Sequence, residues 1–91
     1  MTIGETDIFQ KTDGMSCTDI PDGLAVTGAD GKEVHFLNPV AGAVYLLCDG
    51  AHDARGVATI LREEYALEDA PVGDVIGCLR ELAASGLIRK I

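Results

Sequence analysis

Tryptophan is absent from this chain, and its aromatic residues are only two Tyr and two Phe in 91 positions. Basic residues are also scarce, with 7 Lys and Arg against 15 Asp and Glu and a formal net charge of −8. That balance repels a phosphate backbone, because nucleic-acid binding relies on Lys and Arg displacing counterions. It suits a soluble protein, or one whose partner is basic. Proline is rare beside glycine, 3 against 11, so the glycines mark turns and helix ends more than disorder. The three cysteines, Cys17, Cys48 and Cys78, are odd in number and far apart. Neither a disulfide framework nor a C-x-x-C metal or redox motif can be built from them, and they read as buried small side chains. There is no basic and apolar leader at the N-terminus and no apolar run long enough for a bilayer, which predicts a cytoplasmic protein with no membrane association.

Chemistry-bearing groups are equally thin. His35 and His52 have no Cys or Glu at ligand spacing, and the glycines form no phosphate-cradling loop. Glu63, Glu64, Glu68 and Asp69 read as a solvated helix end and loop. No convergent catalytic set results, so the expectation is a protein that is not an enzyme and needs no metal or cofactor.

What the chain does have is a switch of hydrophobic period at residues 37–50. Asn38 can cap a helix and Pro39 suits its first position. Val40, Ala43, Val44, Leu47 and Cys48 follow at the spacing of one buried face, and Asp49-Gly50 supplies the stop. Before this stretch the pattern is strand. Residues 15–20 form a first strand, Pro21-Asp22-Gly23 a turn, and residues 24–27 and 33–37 a hairpin around Asp30-Gly31. In its last strand Val34 and Phe36 alternate with Glu33 and His35, which predicts one dry and one wet face. After it the pattern is helix. Asp53 caps a second helix with Val57, Ile60, Leu61 and Tyr65 on one face, packed on the first helix. Pro71 opens a third, whose stripe is Val72, Val75, Ile76, Leu79, Leu82 and Ala83, and Gly86 ends it. Gly42, Gly56, Gly73 and Gly77 lie inside helices, where each costs about 1 kcal/mol relative to Ala and close packing would explain some of them. Residues 87–91 form an extended tail or short strand. Residues 1–13, with Ile3, Ile8 and Phe9 among polar neighbours, read as an N-terminal tail or loosely docked arm.

These elements predict an α+β fold of winged helix-turn-helix-like layout, with a three-stranded antiparallel sheet followed by three helices in residues 14–91. Without catalytic groups, a binding module remains. The edge strand offers unpaired N–H and C=O groups to an extended peptide, and the third helix offers apolar pockets.

The chain from residue 37 onward resembles the PqqD family, the small peptide chaperones of pyrroloquinoline quinone (PQQ) biosynthesis, whose fold is shared by RiPP recognition elements of enzymes that modify ribosomally made peptides. The resemblance rests on Leu37-Asn38 before the first helix and Leu47-Cys48-Asp49-Gly50 after it. It rests also on Val57 and Leu61, on Asp74-Val75, Leu79 and Leu82, and on Gly86-Leu87-Ile88. Asp53 stands where the family often has Thr, keeping the capping chemistry, and Ala54 is smaller than the usual branched residue.

The resemblance implies a non-catalytic chaperone that binds the leader of a precursor peptide by strand addition. Glu33, Val34, His35 and Phe36 would supply backbone hydrogen bonds, and Val72, Val75, Ile76, Leu79 and Arg80 would line the groove. It further implies that the loaded chaperone docks on a modifying enzyme of the radical SAM class. The runner-up is a winged-helix DNA-binding transcriptional regulator, for which only Arg80, Arg89 and Lys90 are basic from the third helix onward. Edge strands and a free arm also permit a homodimer.

Overall fold

The computed structural model describes residues 2–91 as six strands and three helices. Ser16–Ile20 (β2), Gly23–Thr27 (β3) and Val34–Leu37 (β4) form an antiparallel sheet in the order β2-β3-β4. Asp30 and Gly31 turn the β3–β4 hairpin: Gly31, at φ 72°, donates its N–H to the Gly28 carbonyl, and the Asp30 side chain accepts from the Lys32 N–H at 2.9 Å. The three predicted helices follow as Pro39–Leu47 (α1), Ala54–Glu64 (α2) and Val72–Ala84 (α3).

The helix ends obey the local chemistry. Asn38 accepts from the Ala41 N–H at 2.8 Å, and Asp53 from the Gly56 N–H at 2.7 Å. Past α3, Gly86 takes φ 78° and donates to the Ala83 carbonyl while Leu87 donates to the Leu82 carbonyl. This is the paired bonding of a Schellman stop, with Leu82 and Leu87 both buried beside each other's turn.

A second sheet corrects the reading of the N-terminal segment. Ile8–Lys11 (β1) is its central strand, between Asp49–Asp53 (β5) and Ile88–Lys90 (β6) in the order β5-β1-β6. Phe9 and Ile3 are core residues. Backbone bonds from Ala54 to Asp7 and from Arg55 to Glu5 tie the segment down, as do ion pairs Arg55–Glu5 at 3.1 Å and Lys90–Asp7 at 3.3 Å. Residues 3–13 therefore belong to the folded body. Their alternation was too short and too polar to announce a strand whose partners lie forty and eighty positions away. Asp49-Gly50, expected as a helix stop, opens β5; the pairing slips between Ile8 and Gln10, and Asp49 holds the irregularity by accepting from the Ala51 N–H and meeting His52 Nδ1 at 3.0 Å. Those bonds hold the Asp49 carboxyl below its ordinary value, with the Ala51 N–H as the main cause.

Helix α1 is rotated from its predicted phase. Val44 and Cys48 are buried as expected and Ala43 and Leu47 pack partly buried against the core, but Val40 is exposed and Gly42 and Tyr45 join the core face. A helix without one charged residue has no apolar periodicity to fix its face. Packing fixes it instead, since a Cβ on Gly42 would lie 3.1 Å from the Leu24 Cβ, so the glycine permits α1 to sit close on β3. In α2 the core face is Ala54, Val57, Ala58 and Leu61, with Ile60 at its margin and Tyr65 exposed. The helix packs on α3 more than on α1.

Gly77 answers differently from Gly42. A Cβ there would meet nothing within 4 Å. Gly77→Ala is expected to stabilise the protein by about 1 kcal/mol through helix propensity alone. In a domain of this size that raises the melting temperature by roughly 4 to 8 °C, measurable by circular dichroism.

Candidate functional site

Strand β4 is one of the two edges of its sheet, paired only to β3 among the described residues, and unlike the other edge, β2, it faces α3 across a groove. Its register sets Leu37 opposite Leu24 and His35 opposite Val26, so His35 and Leu37 turn towards the core side. Val34 and Phe36 turn outwards, Phe36 with 74% of its surface exposed. The dry and wet faces are thus the reverse of the sequence reading. The strand is short, and the packed neighbours Leu24 and Val26 decide which side is inside. Glu33 lies in the hairpin loop, its carboxylate 3.6 Å from His35 Nε2.

Beside β4 runs a groove of about 410 Å³, walled by residues 34–37 on one side and by Cys78, Glu81, Leu82 and Ser85 of α3 on the other. Ala41 from α1 and Leu87 after α3 complete it. Space exists because Ala41, Cys78 and Ser85 are small. The lining mixes polar and apolar surface in nearly equal parts, with the Glu81 carboxylate, the His35 ring and the Ser85 hydroxyl among Val34, Phe36, Leu37 and Leu82.

The α3 residues named from sequence fall elsewhere. Val75 and Leu79 are both 1% exposed and belong to the core. Val72 and Ile76 are half-buried against that same core, and Arg80 is solvent-exposed. At 100° per residue, Cys78, Glu81 and Ser85 project from one flank of the stripe, while Val72, Ile76 and Arg80 project from the other. The widest apolar stripe of an amphipathic helix marks what it buries, and a binding groove lies along the stripe's margin. Small residues on that margin, Cys78 and Ser85, were the signal available in the sequence.

The thiols differ in environment. Cys17 is exposed, whereas Cys48 is buried and donates to the Val44 carbonyl at 3.2 Å. Burial, then the neighbouring Cys78, pushes the Cys48 thiol up to about 12. Burial and the Glu81 carboxylate raise Cys78. Alkylation of the native protein at neutral pH is expected to modify Cys17 first and Cys78 slowly, and to reach Cys48 only on unfolding. Peptide mapping by mass spectrometry reads that order; early loss of the Cys48 thiol would contradict the packing. Among the described residues no cluster of three His, Cys, Asp or Glu could hold a metal ion, and no helix is long and apolar enough to cross a membrane.

No curated protein matches the sequence. Among solved structures, TbiB1 in complex with the TbiA(beta) leader peptide has the same fold at a TM-score of 0.72 and 20% identity, over 88% of this chain and 94% of that one. The family model of coenzyme PQQ synthesis protein D (PqqD) matches residues 23–88, from the start of β3 into β6. The chain belongs to the PqqD family.

Proposed function

We propose that this protein is a non-catalytic peptide chaperone, which takes the leader of a ribosomally made precursor as an added strand on β4 and presents it to a modifying enzyme of the radical SAM class. The observation that carries this reading is the unpaired edge of β4 facing a walled groove against α3. An open edge bearing Val34 and Phe36 is an aggregation hazard unless a partner strand covers it. Membership of the PqqD family, and the leader peptide held by TbiB1 on the same fold, support that partner being a leader. The groove walls carry no Lys or Arg, which disfavours the DNA-binding alternative.

Energetics assign the work within the site. Each net backbone hydrogen bond contributes about 0.5 to 1.5 kcal/mol, and ordering a flexible leader costs about 2 to 5 kcal/mol. Strand pairing therefore little more than offsets ordering, and the apolar contacts beside Phe36, Ala41 and Leu82 set affinity and choice of peptide. An amide NMR titration with the candidate leader is expected to move residues 33–37 and 78–85, and the bound leader is expected to protect Cys78 from alkylation. Absence of shifts on β4, with salt-sensitive shifts on α3 upon adding a DNA duplex, would overturn the chaperone in favour of a regulator.

A further inference from the structure

Helix α1 has no charged residue, yet the side turned away from the core is open to solvent. Helices apolar all round are normally enclosed on all sides. Here Val40 and Leu46 are each 48% exposed, and Tyr65 and Leu67 beyond the end of α2 continue the surface. Three hollows tile it. One of about 320 Å³ lies under the β2–β3 turn, one of about 190 Å³ lies between α1 and α2, and one of about 330 Å³ lies among α1, the α2 end and Pro71. The first two share Ala43 and Leu46, and the second and third adjoin across the buried Leu61; these last two are lined mainly by apolar atoms and the first by a mixture. Continuous exposed apolar surfaces mark sites of association.

The charges set in the hollows identify the occupant's chemistry. Asp19, Glu64 and Asp74 line one hollow each, and no Lys or Arg lines any of the three. A second copy would bring the same carboxylates against these, on chains that each carry a net charge of −8, and like charges across an interface disfavour pairing. We infer that the α1/α2 face is a second docking surface, which takes a protein presenting an apolar helix flanked by Lys and Arg, separately from the leader groove. This surface rests on the presentation role proposed above, since it gives the loaded chaperone a way to hold the enzyme while β4 and α3 hold the peptide. The hollow between α1 and α2, lined by Ala43, Leu46, Leu47, Ile60 and Leu61, has room for apolar side chains of such a helix.

The test uses a synthetic amphipathic peptide of Leu and Lys, with leucines at helical spacing, and its counterpart with Glu for Lys. The Lys peptide is expected to shift amides of residues 40–47 and 60–67 and to bind at least about tenfold more tightly than the Glu peptide. Leu46→Asp is expected to weaken it about tenfold while the protein stays folded, with a melting temperature lowered by no more than roughly 4 to 8 °C, because Leu46 is half exposed. Sedimentation without peptide is expected to show a monomer. Equal affinity for both peptides, shifts confined to β4 and residues 78–85, absence of binding, or a dimer that Leu46→Asp dissolves would each overturn the assignment. The leader titration reads β4 instead, so failure of this surface and failure of the leader groove are separately visible.

Discussion

Gly23→Ala is expected to cost about 3 kcal/mol or more and to lower the melting temperature by roughly 12 °C or more. Gly23 holds φ 147°, a backbone region closed to residues with a Cβ. A Cβ placed there would lie 1.8 Å from the Leu37 carbonyl oxygen and 3.0 Å from the Asn38 carbonyl carbon. Both are backbone atoms at the junction between β4 and the α1 cap, so no side chain can swing aside. Relief would require β4 to move from β3 or α1 to lose its start, and either would disturb the groove as well as the fold. Gly31→Ala is the control: Gly31 is also at positive φ, 72°, with nothing within 4 Å of a Cβ. It is expected to cost about 1 kcal/mol, from conformation alone. Thermal melts of both variants by circular dichroism separate clash from conformation. A Gly23→Ala protein melting like the wild type would mean that the close approach of residues 37 and 38 is not kept in solution.

Ser85→Trp is expected to reduce leader affinity by roughly 30-fold or more while leaving the fold intact. Ser85 is exposed at the end of α3 and lines the groove opposite β4. An indole there fills space that the added strand needs. A leader that forfeits two or three of its hydrogen bonds loses about 2 kcal/mol or more, a factor of roughly 30. Arg80→Ala, on the opposite flank of α3, is expected to change affinity by less than about twofold, as expected of an exposed charge outside the contact. Fluorescence anisotropy with a labelled leader measures both. Full affinity in the Trp variant together with loss in the Arg80 variant would place the peptide on the other side of the helix.

The contrast between Arg80 and Ser85 shows where the sequence stops speaking. Both sit on one helix whose existence, start and stop were legible, from Pro71 to the Gly86 turn. Which flank faces β4 depends on how α3 rolls against strands far away in the chain, and no local pattern records it. The uncharged α1 makes the same point: its start was written in Asn38 and Pro39, but the centre of its buried face was not. Gly42 against Leu24 chose that face, a contact between elements that sequence spacing does not relate.

The N-terminal segment was illegible for a third reason. β1 is four residues long, and its stability comes from having β5 and β6 on both sides, partners supplied only when residues 49–53 and 88–90 are brought together.

By itself, then, the sequence determined whatever three or four neighbouring residues can settle: the caps at Asn38 and Asp53, the Asp30-Gly31 turn and the end of α3, with the acidic charge balance set by composition. It also carried the family, through residues 37–50 and the end of α3. Tertiary structure alone decided the second sheet, the phases of α1 and α3, the outward turn of Phe36 and hence the lining of the groove. Caps and turns are fixed by hydrogen bonds across a few bonds of backbone, whereas helix phase and strand sidedness are fixed by burial, which depends on every element at once.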